Sequence, residues 1–77
     1  MRTARQLVDL DPGATAVVAS LSADASLRRR LEAMGLRPGQ PVQVLRRGWW
    51  SGPLHLRVGM TELMLRRRDA SSVALVA

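Results

Sequence analysis

The chain uses one turn device twice. Leu10-Asp11-Pro12-Gly13 and Leu36-Arg37-Pro38-Gly39 each run leucine, polar residue, proline, glycine. Proline presets φ for the second position of a type II turn, and glycine accepts the positive φ demanded at the third. Each copy therefore predicts a tight reversal that hands the chain to a new strand. With a further break at Gly59-Met60-Thr61, the 77 residues are cut into short elements.

Periodicity says what those elements are. Ala14 to Leu21, with Val17, Val18 and Leu21 among small residues, reads as a first strand, and the preceding Leu7 and Leu10 are expected to dock on the core. Between Ser22 and Gly35 the period changes: Leu27, Leu31 and Met34 fall at i, i+4 and i+7, the stripe of an amphipathic helix. Ser22 or Asp24 can cap its start, Arg28 and Glu32 can pair across one turn, and Gly35 suits a left-handed C-terminal cap.

Beyond the second turn, Pro41 to Arg47 predicts a strand with Val42 and Val44 inward and Gln43 outward, and Gly48 to Pro53 predicts a loop. Leu54, Leu56 and Val58 alternate with His55 and Arg57 in the next strand. Leu63 and Leu65 then point inward opposite Glu62, Met64 and Arg66. Arg67 to Ser72 predicts a short turn with at most one 3-10 turn, and Val73 to Val76 a last strand. About five short strands with one α-helix between the first and second predict a mainly β single domain over residues 1–77, a small barrel.

A chain this short buries only about 60% of its unfolded surface. It has no cysteine, so neither disulfides nor thiolate metal sites are available and packing alone must hold it. No apolar run is long enough to cross a bilayer and none follows the basic N-terminus as a leader would require, so a cytoplasmic protein is expected.

The chemistry-bearing residues are few. One histidine, six carboxylates, no cysteine and no phosphate-binding glycine loop predict no enzymatic activity and no cofactor. His55 faces away from the core with no carboxylate clustered near it in sequence, so no metal site is predicted; Asp9, Asp11, Met60 and Met64 read as turn and packing residues.

What stands out is a loop. Trp49 and Trp50 are adjacent, so on an extended chain they point to opposite sides and cannot both enter a small core. Either one ring lids the end of the barrel and the other packs on an arginine stem, or at least one is an interface anchor, since tryptophan and arginine are enriched at binding hot spots. On the second reading Trp49, Trp50, Arg46, Arg47, His55 and Arg57 form a partner-binding surface, which could also join two copies of the chain. The net charge of +6, carried entirely by arginine, adds two basic runs, Arg28 to Arg30 and Arg66 to Arg68, read as solvated faces.

Leu31-Glu32-Ala33-Met34-Gly35-Leu36-Arg37-Pro38-Gly39, then Val42 and Val44, then Gly52-Pro53, then Leu63-Met64-Leu65-Arg66 resembles the FeoA family over nearly the whole chain. Leu31, Gly35, Pro38, Gly39, Gly52 and Pro53 carry most of the resemblance, with Met34 where the pattern has leucine. Trp49 and Trp50 depart from it, standing where members commonly have a small residue and proline.

The resemblance implies an SH3-like barrel acting in the cytosol as an accessory protein of bacterial ferrous iron uptake. It would associate there with the transmembrane permease FeoB, which carries a GTP-binding domain. A related domain ends iron-dependent repressors, so fold is implied more firmly than task. The competing reading is a basic barrel that holds single-stranded nucleic acid. With no phenylalanine or tyrosine, and both tryptophans in one loop, the chain lacks aromatics spread across a strand face.

Overall fold

In the computed structural model, which describes residues 5–49 and 52–76, both proline-glycine devices close as expected. Ala14 N–H donates to the Asp11 carbonyl at 3.0 Å and Gln40 N–H to the Arg37 carbonyl at 3.0 Å, with Gly13 and Gly39 at φ +88° and +90°. Each turn also clamps the strand beside it: Gly13 N–H donates to Val44 and Gly39 N–H to Val18, both at 2.7 Å. The two reversals thus staple opposite ends of one antiparallel strand pair.

Five strands follow in chain order, β1 Thr15–Leu21, β2 Pro41–Arg47, β3 Leu54–Val58, β4 Thr61–Leu65 and β5 Val73–Leu75. They form one antiparallel sheet in the order β4-β3-β2-β1-β5. A flat sheet of five would hold its edges about 19 Å apart. Yet Leu65 of β4 and Val73 and Leu75 of β5 belong to one core with Val18, Val42, Val44, Leu54 and Leu56. The sheet therefore curls around that core. Among the described residues β4 and β5 are its two edges and do not pair with each other, so the expected barrel is a curved sheet that is not closed by strand pairing.

Two bulges assist the bend. The register shifts between Val18 and Ser20 where β1 meets β5, and between Val44 and Arg46 where β2 meets β3, leaving Ala19 and Leu45 as extra residues. Bulges sharpen the local twist. Residues 15–17 of β1 pair with β2 and residues from Val18 onward pair with β5.

Helix α1, Ala25–Ala33, is shorter than the span between its signals. Asp24 is the residue that caps it, its Oδ1 accepting from Leu27 N–H at 2.8 Å. At the other end Leu36 N–H donates to Leu31 and Gly35 N–H to Glu32, both at 3.0 Å, with Gly35 at φ +96°. This is a Schellman closure, and its apolar contact is Leu31 with Leu36, both fully buried. The expected Arg28–Glu32 pair does not form; Arg28 instead donates to the Ala23 carbonyl at 3.1 Å, supporting the first turn. The 67–72 segment is a four-residue α-helix, α2 Arg67–Ala70, rather than a 3-10 turn. A 3-10 turn occurs earlier, at Leu7–Asp9, and brings Leu7 and Leu10 into the core.

Candidate functional site

The outward face of β2, β3 and β4 gathers most of the residues picked out by sequence. Pairing aligns Arg46, His55 and Met64 in one row and Gln43, Arg57 and Glu62 in the next. Trp49 stands at the end of the first row with 90% of its surface exposed. Arg46, Arg47, Trp49, Pro53, His55 and Met64, with Gly48, line a shallow groove of about 400 Å³. Trp49 is therefore no lid on the core, while Trp50 lies outside the described residues.

The loop that presents Trp49 is braced at its base. Gly48 N–H donates to Pro53 and Gly52 N–H to Trp49, both at 2.9 Å. The arms come so close that a Cβ on Gly48 would sit 2.9 Å from Gly52 backbone atoms. That is why glycine occupies both positions. Arg67 of α2 then reaches across, donating from Nε to Gly52 at 3.0 Å and from a terminal nitrogen to Gly48 at 3.3 Å. Two parallel bonds to backbone carbonyls suit the rigid guanidinium fork. In the sequence Arg67 is one of a basic run expected to be solvated, whereas its guanidinium is held by two backbone carbonyls. Nothing in the spacing of Arg66, Arg67 and Arg68 distinguishes the middle one.

Arg47 is placed differently from the expectation that put it beside Arg46. The bulge at Leu45 lets Arg46 pair with His55 on the outward face and Arg47 with Leu54 on the core side. From there its guanidinium donates to the carbonyls of Leu10 and Val8, pinning the segment around Leu7–Asp9. Its guanidinium is thereby held on backbone carbonyls, while the half-buried side chain still lines one wall of the groove. Simple alternation would have sent Arg47 outward, and only the bulge reverses it.

His55 also departs from expectation, because a carboxylate does lie beside it. Its Nε2 is 2.9 Å from Glu62 Oε1, and Arg57 donates to the other oxygen, Oε2, at 3.2 Å. Glu62 sits directly across from Arg57 and diagonally from His55, a juxtaposition set by the β3–β4 register. The Arg57 hydrogen bond, aided by the charges of Arg57 and His55 against some desolvation, holds the Glu62 carboxyl below the usual carboxylate range. With one oxygen taken by each neighbour, the triad neutralises charge on a basic face. Among the described residues no three histidine, cysteine or carboxylate side chains cluster as metal ligands, and no buried side-chain nitrogen or oxygen lacks a partner.

The FeoA domain model matches residues 5–76. The chain belongs to the FeoA domain family. It is similar to the iron uptake regulatory protein FeoA in its crystal structure, at 28% identity and TM-score 0.85, covering 94% of this chain and 93% of that one. It is similar also to Stenotrophomonas maltophilia FeoA, at 31% identity and TM-score 0.82, covering 95% and 91%. That protein is described as complexed with zinc, as a prokaryotic SH3 domain protein and as a candidate ferrous iron transport activating factor. A manganese-dependent transcriptional repressor matches at 26% identity and TM-score 0.85, covering 95% of this chain and 41% of the repressor. No curated protein matches. The FeoA relatives it resembles are described in terms of iron uptake, and one of them as an SH3 domain protein. No helix among the described residues is long and apolar enough to cross a membrane.

Proposed function

We propose that the chain is a non-catalytic accessory domain that docks on the cytosolic, GTPase-bearing part of a FeoB-type ferrous iron permease and adjusts its assembly or activity. FeoA membership supports the transport setting. The observation that carries the contact is Trp49, 90% exposed at the end of a row formed with Arg46 and His55. A large aromatic held in water by a braced loop contributes nothing to the core, and burying it against a partner recovers about 25 cal/mol for each Å² of apolar surface covered. Arg46 and Arg57 would add charge complementarity to an acidic partner surface.

The test is a pull-down from detergent-solubilised membranes with tagged wild type and Trp49→Ala. Retention of a GTPase-bearing permease by wild type, and its loss with Trp49→Ala, is the expected result. Equal retention by both moves the interface off this loop. If neither retains a permease and nucleic acid co-purifies in a salt-sensitive manner, the basic-barrel reading replaces this one.

A further inference from the structure

The two edges of the sheet are treated differently. The outer edge of β5 is covered: Leu75 N–H donates to the Arg5 carbonyl at 2.8 Å and Gln6 bridges Ala74. Among the described residues no segment pairs with the outer edge of β4. Edge strands are usually blunted by proline, lysine, a bulge or a cover, because their unpaired amides template further pairing. β4, Thr61-Glu62-Leu63-Met64-Leu65, has no proline, no lysine and an uninterrupted register with β3.

The register says which groups face outward along that edge. Val58 and Thr61 flank a two-residue connection, so they form a pair that exchanges both hydrogen bonds with each other, as do Leu56 with Leu63 and Leu54 with Leu65. The N–H and C=O of Glu62 and Met64 consequently point to the bare edge. Arg66, extended at φ −63° and ψ 146°, continues the same parity with its N–H, while its carbonyl accepts from Ala70 N–H at 2.9 Å and opens α2.

We infer that the bare edge of β4 pairs antiparallel with β4 of a second copy of this chain, centred on Met64. This register sets Met64 against its own copy, Glu62 against the copy's Arg66, and Leu63 against the copy's Leu65. Charge selects it. A register centred on Leu63 would leave Glu62 opposite Met64 and Arg66 opposite Met60, so that neither meets an opposite charge across the interface and Glu62 keeps only its contacts to His55 and Arg57 of its own chain. The chosen one forms two Glu62–Arg66 pairs and brings neither basic run against itself.

Apolar groups agree with the charges. Met64 is 57% exposed on the outward side. On the inward side, beside Leu63, lies an open depression lined by Met34, Val58, Thr61 and Leu63, where the copy's half-buried Leu63 adds cover. Self-complementary pairing of one patch is the ordinary form of a two-fold dimer. Its axis runs perpendicular to the sheet, so both Trp49 faces lie on the same side of the dimer.

Sedimentation velocity on the full chain from micromolar to millimolar concentration tests this. Wild type is expected to pass from monomer to dimer. Met64→Pro removes an N–H that β3 does not use, and should leave the circular dichroism spectrum native while abolishing the dimer. Glu62→Arg and Arg66→Glu should each weaken dimerisation by roughly tenfold or more by opposing like charges. Mixing these two variants should restore it, since each then meets its opposite. A wild type monomeric throughout, a dimer indifferent to Met64→Pro, or charge variants that fail to rescue each other would overturn the assignment. A dimer lost only with Trp49→Ala would place the contact at the loop instead.

Discussion

The Nε of Arg67 donates to the carbonyl of Gly52 across 3.0 Å, tying a four-residue helix to the loop that carries Trp49. This contact bridges parts of the chain that no local signal connects. Arg67→Ala should cost roughly 1.5–3 kcal/mol in urea unfolding, the range for a hydrogen bond to a charged group. It should also reduce partner retention although Arg67 is not on the outward face. A variant as stable as wild type would show that the brace is not needed.

Arg46 and Arg47 are neighbours in sequence with opposite assignments. Arg47→Met should destabilise by about 1–3 kcal/mol because the carbonyls of Val8 and Leu10 lose their donor. Arg46→Met, on an exposed side chain, should stay within about 0.5 kcal/mol. Equal effects in paired denaturation curves would contradict the bulge at Leu45.

Gly35 and Gly13 share a positive φ but not an environment. Alanine at either meets the left-handed penalty of about 1–2 kcal/mol. At Gly35 the new Cβ would also lie 3.2 Å from Val58 Cγ1, whereas at Gly13 nothing stands within 4 Å. Gly35→Ala should therefore lower the melting temperature further than Gly13→Ala, and the reverse order would remove the packing argument.

Glu62 gives a signed pH dependence. Its carboxyl is held below the ordinary range in the folded chain, chiefly by Arg57. Its contribution to stability is present above the unfolded carboxylate pKa and is lost as pH falls through the lowered folded value. Glu62→Gln removes that contribution, so it should lower stability at neutral pH, converge with wild type in acid and thereby flatten the acid limb of a stability–pH profile. An unaltered acid limb would mean that the triad makes no contribution to folding.

Much of the architecture is written in local chemistry. Pro12-Gly13 and Pro38-Gly39 specify their turns because φ preferences act within a few residues, and the Leu27, Leu31, Met34 stripe with Gly35 specifies the helix and its C-terminal end, leaving Ser22 and Asp24 as rival caps for its start. The alternation of Leu54, Leu56 and Val58 with His55 and Arg57 likewise puts the two polar side chains outward in β3. These are properties of neighbours along the chain, so the sequence by itself determined them.

Three things were decided only by tertiary structure. The Leu45 bulge that turned Arg47 inward depends on how β2 must bend around a shared core, the reach of Arg67 to Gly48 and Gly52 depends on where α2 docks, and the His55–Glu62 contact depends on register. Residues far apart in sequence meet there, and spacing along the chain carries no information about such distances. Periodicity therefore predicts which face a residue occupies until a bulge intervenes, and says nothing of what a long arginine finds on arrival.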